Sequence, residues 1–237
     1  MNTRTERLFG KTARSLMRVV NPIKKLIIET HCLAHKYINN KCLELLLNEG
    51  YSDAHRCFSK YIKYINEGVT WADQDFKSSN HFYHFNEKRG LYGFSNALNE
   101  CKNYYTLTLK YLELGDIPMS MFYFGAACHL LQDATVPHHV NNRLLKNHRQ
   151  FEVWIIGRIV MGHHFEAKKG IKRYKDIDAY IENNALTANS AYFTFRNIKN
   201  RDKRYCEVAT VIIQEAQITT AGFMLDFYEE LRKKIKC

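Results

Sequence analysis

From about His31 to Leu47, apolar residues recur every three to four positions, at Leu33, Ile38, Cys42, Leu45 and Leu46. That spacing marks one face of an α-helix, and Gly50 suits its end. A second helix is predicted from Asp53 to Ile65. Residues 67–90 show no clear period and carry Gly68, Ser78, Ser79, Asn80 and Gly90, which predicts a long loop of the kind that often bears function. Helical spacing resumes over about 91–114 and 118–132, with Pro118 in a first-turn position just after Gly115 and Asp116. The stretch from Pro137 to Asn147 reads as irregular. Further helices are predicted from about His148 to Val160 and over 205–234. Nowhere does strict apolar–polar alternation meet a turn dipeptide, so no sheet is expected. Neither an internal repeat nor a low-complexity segment is found.

The pattern therefore predicts an all-α fold, a single multi-helix bundle. Residues 1–27 read as a basic N-terminal arm broken at Pro22, and residues 28–237 as the folded domain. Composition agrees: 46% of the 237 residues are hydrophobic and 25% charged, with only 3 Pro and 11 Gly, which excludes disorder as the default.

The formal net charge is +11. A basic surface concentrates polyanions, whether anionic lipid or nucleic acid, and allows peripheral contact with an anionic membrane. Seven of the first 25 residues are Lys or Arg, against one acid. Two more basic runs are Lys168, Lys169, Lys172, Arg173, Lys175 and Arg196, Lys199, Arg201, Lys203, Arg204. The 7 cysteines are odd in number and contain no CxxC pair, so free thiols in a reducing compartment are expected; Cys42 and Cys128 sit among apolar residues and read as core. No apolar stretch follows the basic N-terminus, since Leu16–Val20 is interrupted by Arg18. Neither a secretory signal nor a transmembrane span is read, and the expected location is the cytoplasm.

Chemistry concentrates in the histidines. His129 and Asp133 stand four apart in an apolar helical stretch and share a face. His148 and Glu152 repeat that spacing on the next helix. Pro137-His138-His139 lies between them, Asp73 and His81 come from the 67–90 segment, and His31 from a helix start. One such pair is ordinarily a hydrogen bond. Several carboxylates and imidazoles facing one helical core need a compensating charge, which divalent cations supply. Donors of N and O without a cysteine cluster suit catalytic zinc with open positions.

His-x-x-x-Asp, Pro-x-His and His-x-x-x-Glu in that order resemble the zinc-dependent phospholipases C. Gly68-Val69-Thr70-Trp71-Ala72-Asp73, Asn80-His81-Phe82-Tyr83, Thr30-His31 and Ala216–Phe223 are similar to further segments of that family, spanning about residues 28–230. The resemblance implies an all-helical domain binding two to three zinc ions. One would be held by Asp73, His81, His129 and Asp133, and a second by His139, His148 and Glu152. A third would be bridged by Asp133 and also bound by His31. Asp73 would in addition act as general base. The implied reaction is zinc-assisted hydrolysis of a phosphodiester, releasing diacylglycerol and a phosphorylated headgroup when the substrate is a phospholipid.

Several departures from the family pattern stand out. The N-terminal Trp that completes the family's third site has no counterpart, since no Trp precedes Trp71. His35 and His84 are the candidates to replace it, although a solvent-facing or hydrogen-bonded role is expected for both. His55, His163 and His164 match no motif position and read as surface residues. Gln74 and Ser78 stand where choline-preferring members carry aromatics, which leaves Phe76 as the nearest substitute for a cationic cage. The C-terminal membrane-binding domain of the toxin members is not expected, and the family is typically secreted although no signal is read here. Two rival functions remain: a nuclease on the same fold, disfavoured because Glu152 stands where nucleases use Asp, and a zinc-binding membrane-surface or regulatory protein with little catalysis.

Overall fold

The computed structural model describes residues 32–74, 80–90, 95–141 and 148–234. The predicted N-terminal arm, His31, Phe76 and Ser78 lie outside these. Among the described residues there are eight helices and no strands: α1 (Leu33–Asn48), α2 (Ser52–Ala72), α3 (Ala97–Glu113), α4 (Ile117–Asp133), α5 (Pro137–Val140), α6 (His148–Val160), α7 (Ile177–Phe195) and α8 (Arg201–Lys234). The fold is all-α, as the apolar spacing predicts.

Helix α4 is the axis of the bundle, packed chiefly against α2 and α3. Thirteen of its 17 residues are buried, from Ile117 to Asp133. A helix buried on nearly every side is apolar all round, as Met121–Leu131 is. Side-chain caps start three of the helices. Asn96 accepts from the Asn99 amide (2.9 Å), Asp116 from Met119 (3.1 Å) and Asp176 from Ala179 (2.8 Å), each satisfying an otherwise unpaired first-turn donor.

Two expectations about helices need correction. The 67–90 segment is not all loop, because α2 runs on to Ala72 and Asp73 is its C-terminal cap. Gly68, taken as a breaker, instead marks a helix crossing. A Cβ there would stand 1.8 Å from the Phe122 carbonyl oxygen, and one at Gly125 would stand 2.1 Å from that of Ile65. The two glycines let the α2 and α4 backbones touch, which brings Asp73 beside the end of α4. Helix α7 was not anticipated, because its buried stripe (Tyr180, Ile181, Asn184, Ala185, Ala188, Ala191) is small and partly polar. The cap Asp176 and a run without Gly or Pro were its legible signals.

Helix α8 is long and apolar enough to cross a membrane by length and composition, but 78% of its apolar window is buried within the fold, where it packs on α1 and α7. Cys32, Cys42, Cys101, Cys128 and Cys206 are free thiols, as expected. Cys57 is disulfide-bonded, which corrects the expectation of free thiols throughout; pairing follows proximity in the fold and leaves no trace in the spacing of the sequence.

Candidate metal centre

Helix α4 ends by delivering His129 and Asp133, one turn apart, into the interior. Asp133 Oδ2 is met by three imidazole nitrogens: His81 Nδ1 at 2.8 Å, His129 Nε2 at 3.2 Å and His139 Nδ1 at 3.4 Å. None is aligned with it as a hydrogen bond, and His129 Nδ1 and His139 Nδ1 are also buried without a hydrogen-bond partner. His81 is held from behind. Its Nε2–H donates to the Ala72 carbonyl at the end of α2 (3.1 Å), which leaves Nδ1 as the bare nitrogen facing Asp133 and His129. This use of a backbone carbonyl to set a tautomer is typical of metal-ligating histidines. Asp73 lies at the edge of the group and accepts a weak hydrogen bond from the Cys32 thiol at 3.9 Å. Asp73, His81 and His129 each offer a donor atom, all within 4.8 Å of one another.

A second group adjoins the first. Val136 is extended, and Pro137 opens the single turn of α5 that carries His139. The 81–85 strip runs alongside: the Tyr83 amide donates to the His139 carbonyl (3.1 Å) and the Phe85 amide to that of Val140 (2.9 Å). These two bonds fix His81 beside His139, whose ring stacks on Phe82 with centroids 4.9 Å apart. The first turn of α6 adds His148 and Glu152. His148 Nε2 lies 2.9 Å from His139 Nε2 and 2.8 Å from Glu152 Oε1, and His139 Nε2 lies 3.7 Å from the same oxygen. His139, His148 and Glu152 form another set of donors within 4.8 Å.

The electrostatics follow from burial and crowding. Burial alone disfavours a charged imidazole, yet Asp133 and Glu152 outweigh it and lift His139 to about 10. His129 is likewise raised, against burial, by Asp133. Burial opposes ionisation of Asp133 and Glu152 too, but the surrounding imidazoles hold both carboxyls well below their usual range. The Cys32 thiol is pushed up by burial and by Asp73, so it is a neutral donor. Without a metal, this cluster holds itself together by sharing protons. A divalent cation among these donors would supply the same compensating positive charge.

His35 is the residue that the motif pattern placed least well. It is not solvent-facing. Its Nε2 lies 3.4 Å from Asp133 Oδ1, and its ring stacks on His129 at 4.1 Å. The signal for this was its position four residues before Asn39 and seven before Cys42, on the buried stripe of α1. His84 is elsewhere: its Nδ1 accepts from the Glu87 amide (3.2 Å) in a turn, the hydrogen-bonded role expected of it. His164 is exposed, whereas His163 is half-buried against Phe165, 4.4 Å between centroids.

The family model described as zinc dependent phospholipase C matches residues 34–205. The chain belongs to the zinc-dependent phospholipase C family. This match covers α1 through the start of α8 and so includes both donor groups. The fold is similar to the alpha-toxin of Clostridium perfringens from an avian strain, with a TM-score of 0.71 and 18% identity over 86% of this chain and 65% of that one. It is equally similar to the alpha toxin of Clostridium absonum, with a TM-score of 0.71 and 16% identity over 85% of this chain and 64% of that one. The phospholipase C-family chain thus spans just under two thirds of the length of these toxins. No curated protein matches it. A zinc-dependent family implies zinc, and the donors present fit it: imidazoles and carboxylates only, with His81, His129, Asp133 and His139 buried and the His81 tautomer set by the Ala72 carbonyl.

Proposed function

We propose that this chain is a zinc-dependent phosphodiester hydrolase acting on phospholipids, a phospholipase C that releases diacylglycerol and a phosphorylated headgroup. The observation that carries this reading is the contact between the two donor groups. His139 faces Asp133 with one ring nitrogen and Glu152 with the other, so cations held by the two groups would be close neighbours. In the first group Asp73, His81, His129 and Asp133 are the ligands; in the second they are His139, His148 and Glu152. Zinc held there would lower the pKa of a bound water and draw charge off the phosphoryl oxygens. Asp73, partly exposed at the rim, is positioned to take up a proton as general base, with the Cys32 thiol orienting its carboxylate.

Lipid is favoured over nucleic acid by the surface of α6. The helix that bears His148 and Glu152 also exposes Val153 and Val160, and Met161 follows with 82% of its surface in solvent. Exposed Lys168 and Lys169 come soon after. Apolar side chains near basic ones suit shallow contact with an anionic bilayer.

The test is hydrolysis by the purified chain of a soluble chromogenic phosphodiester and of phospholipid vesicles, with zinc measured on the same sample. The expected result is turnover of both substrates, lost on chelation and restored by zinc. Two bound zinc ions per chain without turnover of either substrate would overturn the enzyme reading and leave a zinc-binding protein. Turnover of single-stranded nucleic acid but not vesicles would move the substrate to nucleic acid.

A further inference from the structure

The two basic runs in the second half of the chain are treated oppositely by the fold. Of the run Lys168, Lys169, Lys172, Arg173, Lys175, three members are matched by carboxylates. Lys172 is paired with Glu215 (2.8 Å), Arg173 with Asp226 (2.6 Å) and Glu229 (2.7 Å), and Lys175 lies 3.7 Å from Asp176. Residues 196–204, the turn between α7 and α8, hold Arg196, Lys199, Arg201, Lys203 and Arg204 against a single acid, Asp202. Among the described residues none of these five cations is ion-paired with a carboxylate, and all but Arg204 are exposed. Like charges this close repel one another, and a polyanion laid against them relieves the repulsion. The turn is held in shape: the Lys203 amide donates to Asn200 Oδ1 (2.9 Å), and Arg204 Nη1 donates to the Ile198 carbonyl (2.7 Å). Helix α6 stands beside it. The Tyr205 ring lies 5.0 Å from Phe151 and 5.7 Å from Trp154 between centroids, and Asp202 lies 3.9 Å from Arg158. The outer face of α6 is apolar where a surface helix is ordinarily polar, since Val153, Val160 and the following Met161 are each more than half exposed. Phe193, exposed at the end of α7, lies 4.7 Å from the Arg196 guanidinium.

We propose that the α7–α8 turn and the outer face of α6 form one docking surface for an anionic phospholipid bilayer. The cations of the turn meet lipid phosphates, and the apolar side chains of α6 enter the headgroup layer. The proposal rests on the phospholipase reading for what docking achieves, and names where the chain meets the surface that carries its substrate. The lipid that docks the chain is not required to be the lipid that is cleaved, because the turn contributes nothing to either donor group. Charge complementarity restricts the occupant to a polyanion, and the apolar stripe then selects among polyanions. A bilayer favours Val160 and Met161, whereas a nucleic-acid backbone is bound through its phosphates alone. A second copy of the chain would bring the same cations face to face. Docking is coupled to the site by position, since Val153 follows Glu152 directly on the helix that also carries His148.

The experiment sediments the full chain with vesicles of zwitterionic phospholipid, with and without phosphatidic acid, whose phosphate is a monoester and adds charge without a phosphodiester to cleave. The triple reversal Lys199→Glu, Arg201→Glu, Lys203→Glu is compared with Lys60→Glu, Lys63→Glu, Lys110→Glu, an equal change of charge at exposed positions of α2 and α3, and with Met161→Asp. Each is checked for native helix content. The parent is expected to bind the anionic vesicles only, and less as salt rises. One basic residue at such a surface strengthens binding about fivefold, so reversing the turn should weaken it by about 100-fold or more. Met161→Asp should weaken it a few-fold, and the α2–α3 reversal far less than the turn reversal. Equal losses from the two reversals would show that net charge alone attracts lipid, and the proposal fails. It fails as well if the turn reversal sediments like the parent, even where the parent hydrolyses the chromogenic phosphodiester and the enzyme reading stands. A parent that ignores vesicles but binds single-stranded nucleic acid through the turn would assign the surface to nucleic acid instead. Docking as expected by a chain that hydrolyses no phosphodiester would uphold the surface and overturn the phospholipase reading. Should the triple variant not fold, Lys199→Glu and Arg201→Glu are read singly, with losses of at least about fivefold expected from each.

Discussion

Helix α4 is buried along its whole length, but its two halves are satisfied differently. Around Phe124 the partners are aromatic: Phe227 at 4.5 Å, Phe223 at 5.1 Å and Phe58 at 5.9 Å between ring centroids. Everything that Phe124 needs is supplied by α2 and α8. Towards the end of the same helix His129 and Asp133 are as deeply buried, but Asp133 Oδ2, His129 Nδ1 and His139 Nδ1 crowd there without hydrogen-bond partners. The first half is complete within the chain, whereas the second is organised for something the polypeptide does not contain. Burial is thus the same quantity at both ends with opposite meanings: stability at Phe124, and a stored requirement for positive charge at Asp133.

Four substitutions or conditions separate the halves. Asp133→Asn should have the largest effect, because it removes a negative charge from every imidazole around it. Zinc content should fall and phosphodiester hydrolysis should drop to background, as read by elemental analysis and the chromogenic assay; retained zinc and turnover would show that the end of α4 is not a metal centre. Phe124→Ala should do the reverse, lowering unfolding free energy by about 3–5 kcal/mol in denaturant titration while zinc per folded chain stays unchanged. A parallel loss of zinc would mean that the two halves are one unit.

Solution pH should tell the zinc-free and zinc-loaded chains apart. In the zinc-free chain His139 is raised from 6.5 to about 10. A raised folded-state value contributes stability that is fully present below 6.5 and lost as pH climbs through about 10. Thermal unfolding of the chelated protein should therefore worsen across that window, and zinc should abolish the slope because a ligated imidazole has no proton to lose. Zinc uptake near pH 7 should also release protons, which calorimetry in two buffers of different ionisation heat would detect. The smallest effect is expected from Met161→Asp at the exposed end of α6. It should reduce vesicle hydrolysis by a few-fold and leave the soluble substrate untouched; equal loss on both would place Met161 in the fold rather than at a lipid surface.

Much of this was legible beforehand. The spacing of apolar residues marked α1, α4 and α6 closely, because each carries large side chains at helical intervals or a clear stop. His129 with Asp133, and His148 with Glu152, were visible as pairs because four residues make about one turn of helix whatever surrounds it. Helix α7 was not visible, since its buried face is largely alanine and asparagine. The extension of α2 to Ala72 was hidden by Gly68, whose role depends on the Phe122 carbonyl of another helix.

By itself the sequence determined the helical class, the local pairs of donors and the family pattern that joins them, all of which depend on neighbours within a few turns. Only the tertiary structure decided which pairs meet. The glycine crossing of α2 and α4 sets Asp73 beside His129, and two backbone hydrogen bonds hold the 81–85 strip against α5. A chain of hydrogen-bonded amides, from Asn66 through Asn39 to Gln132, turns His35 inward. These are contacts between residues dozens of positions apart. They depend on backbone proximity and on which hydrogen-bonding groups are left over once the helices have formed, and no periodicity in a sequence records either.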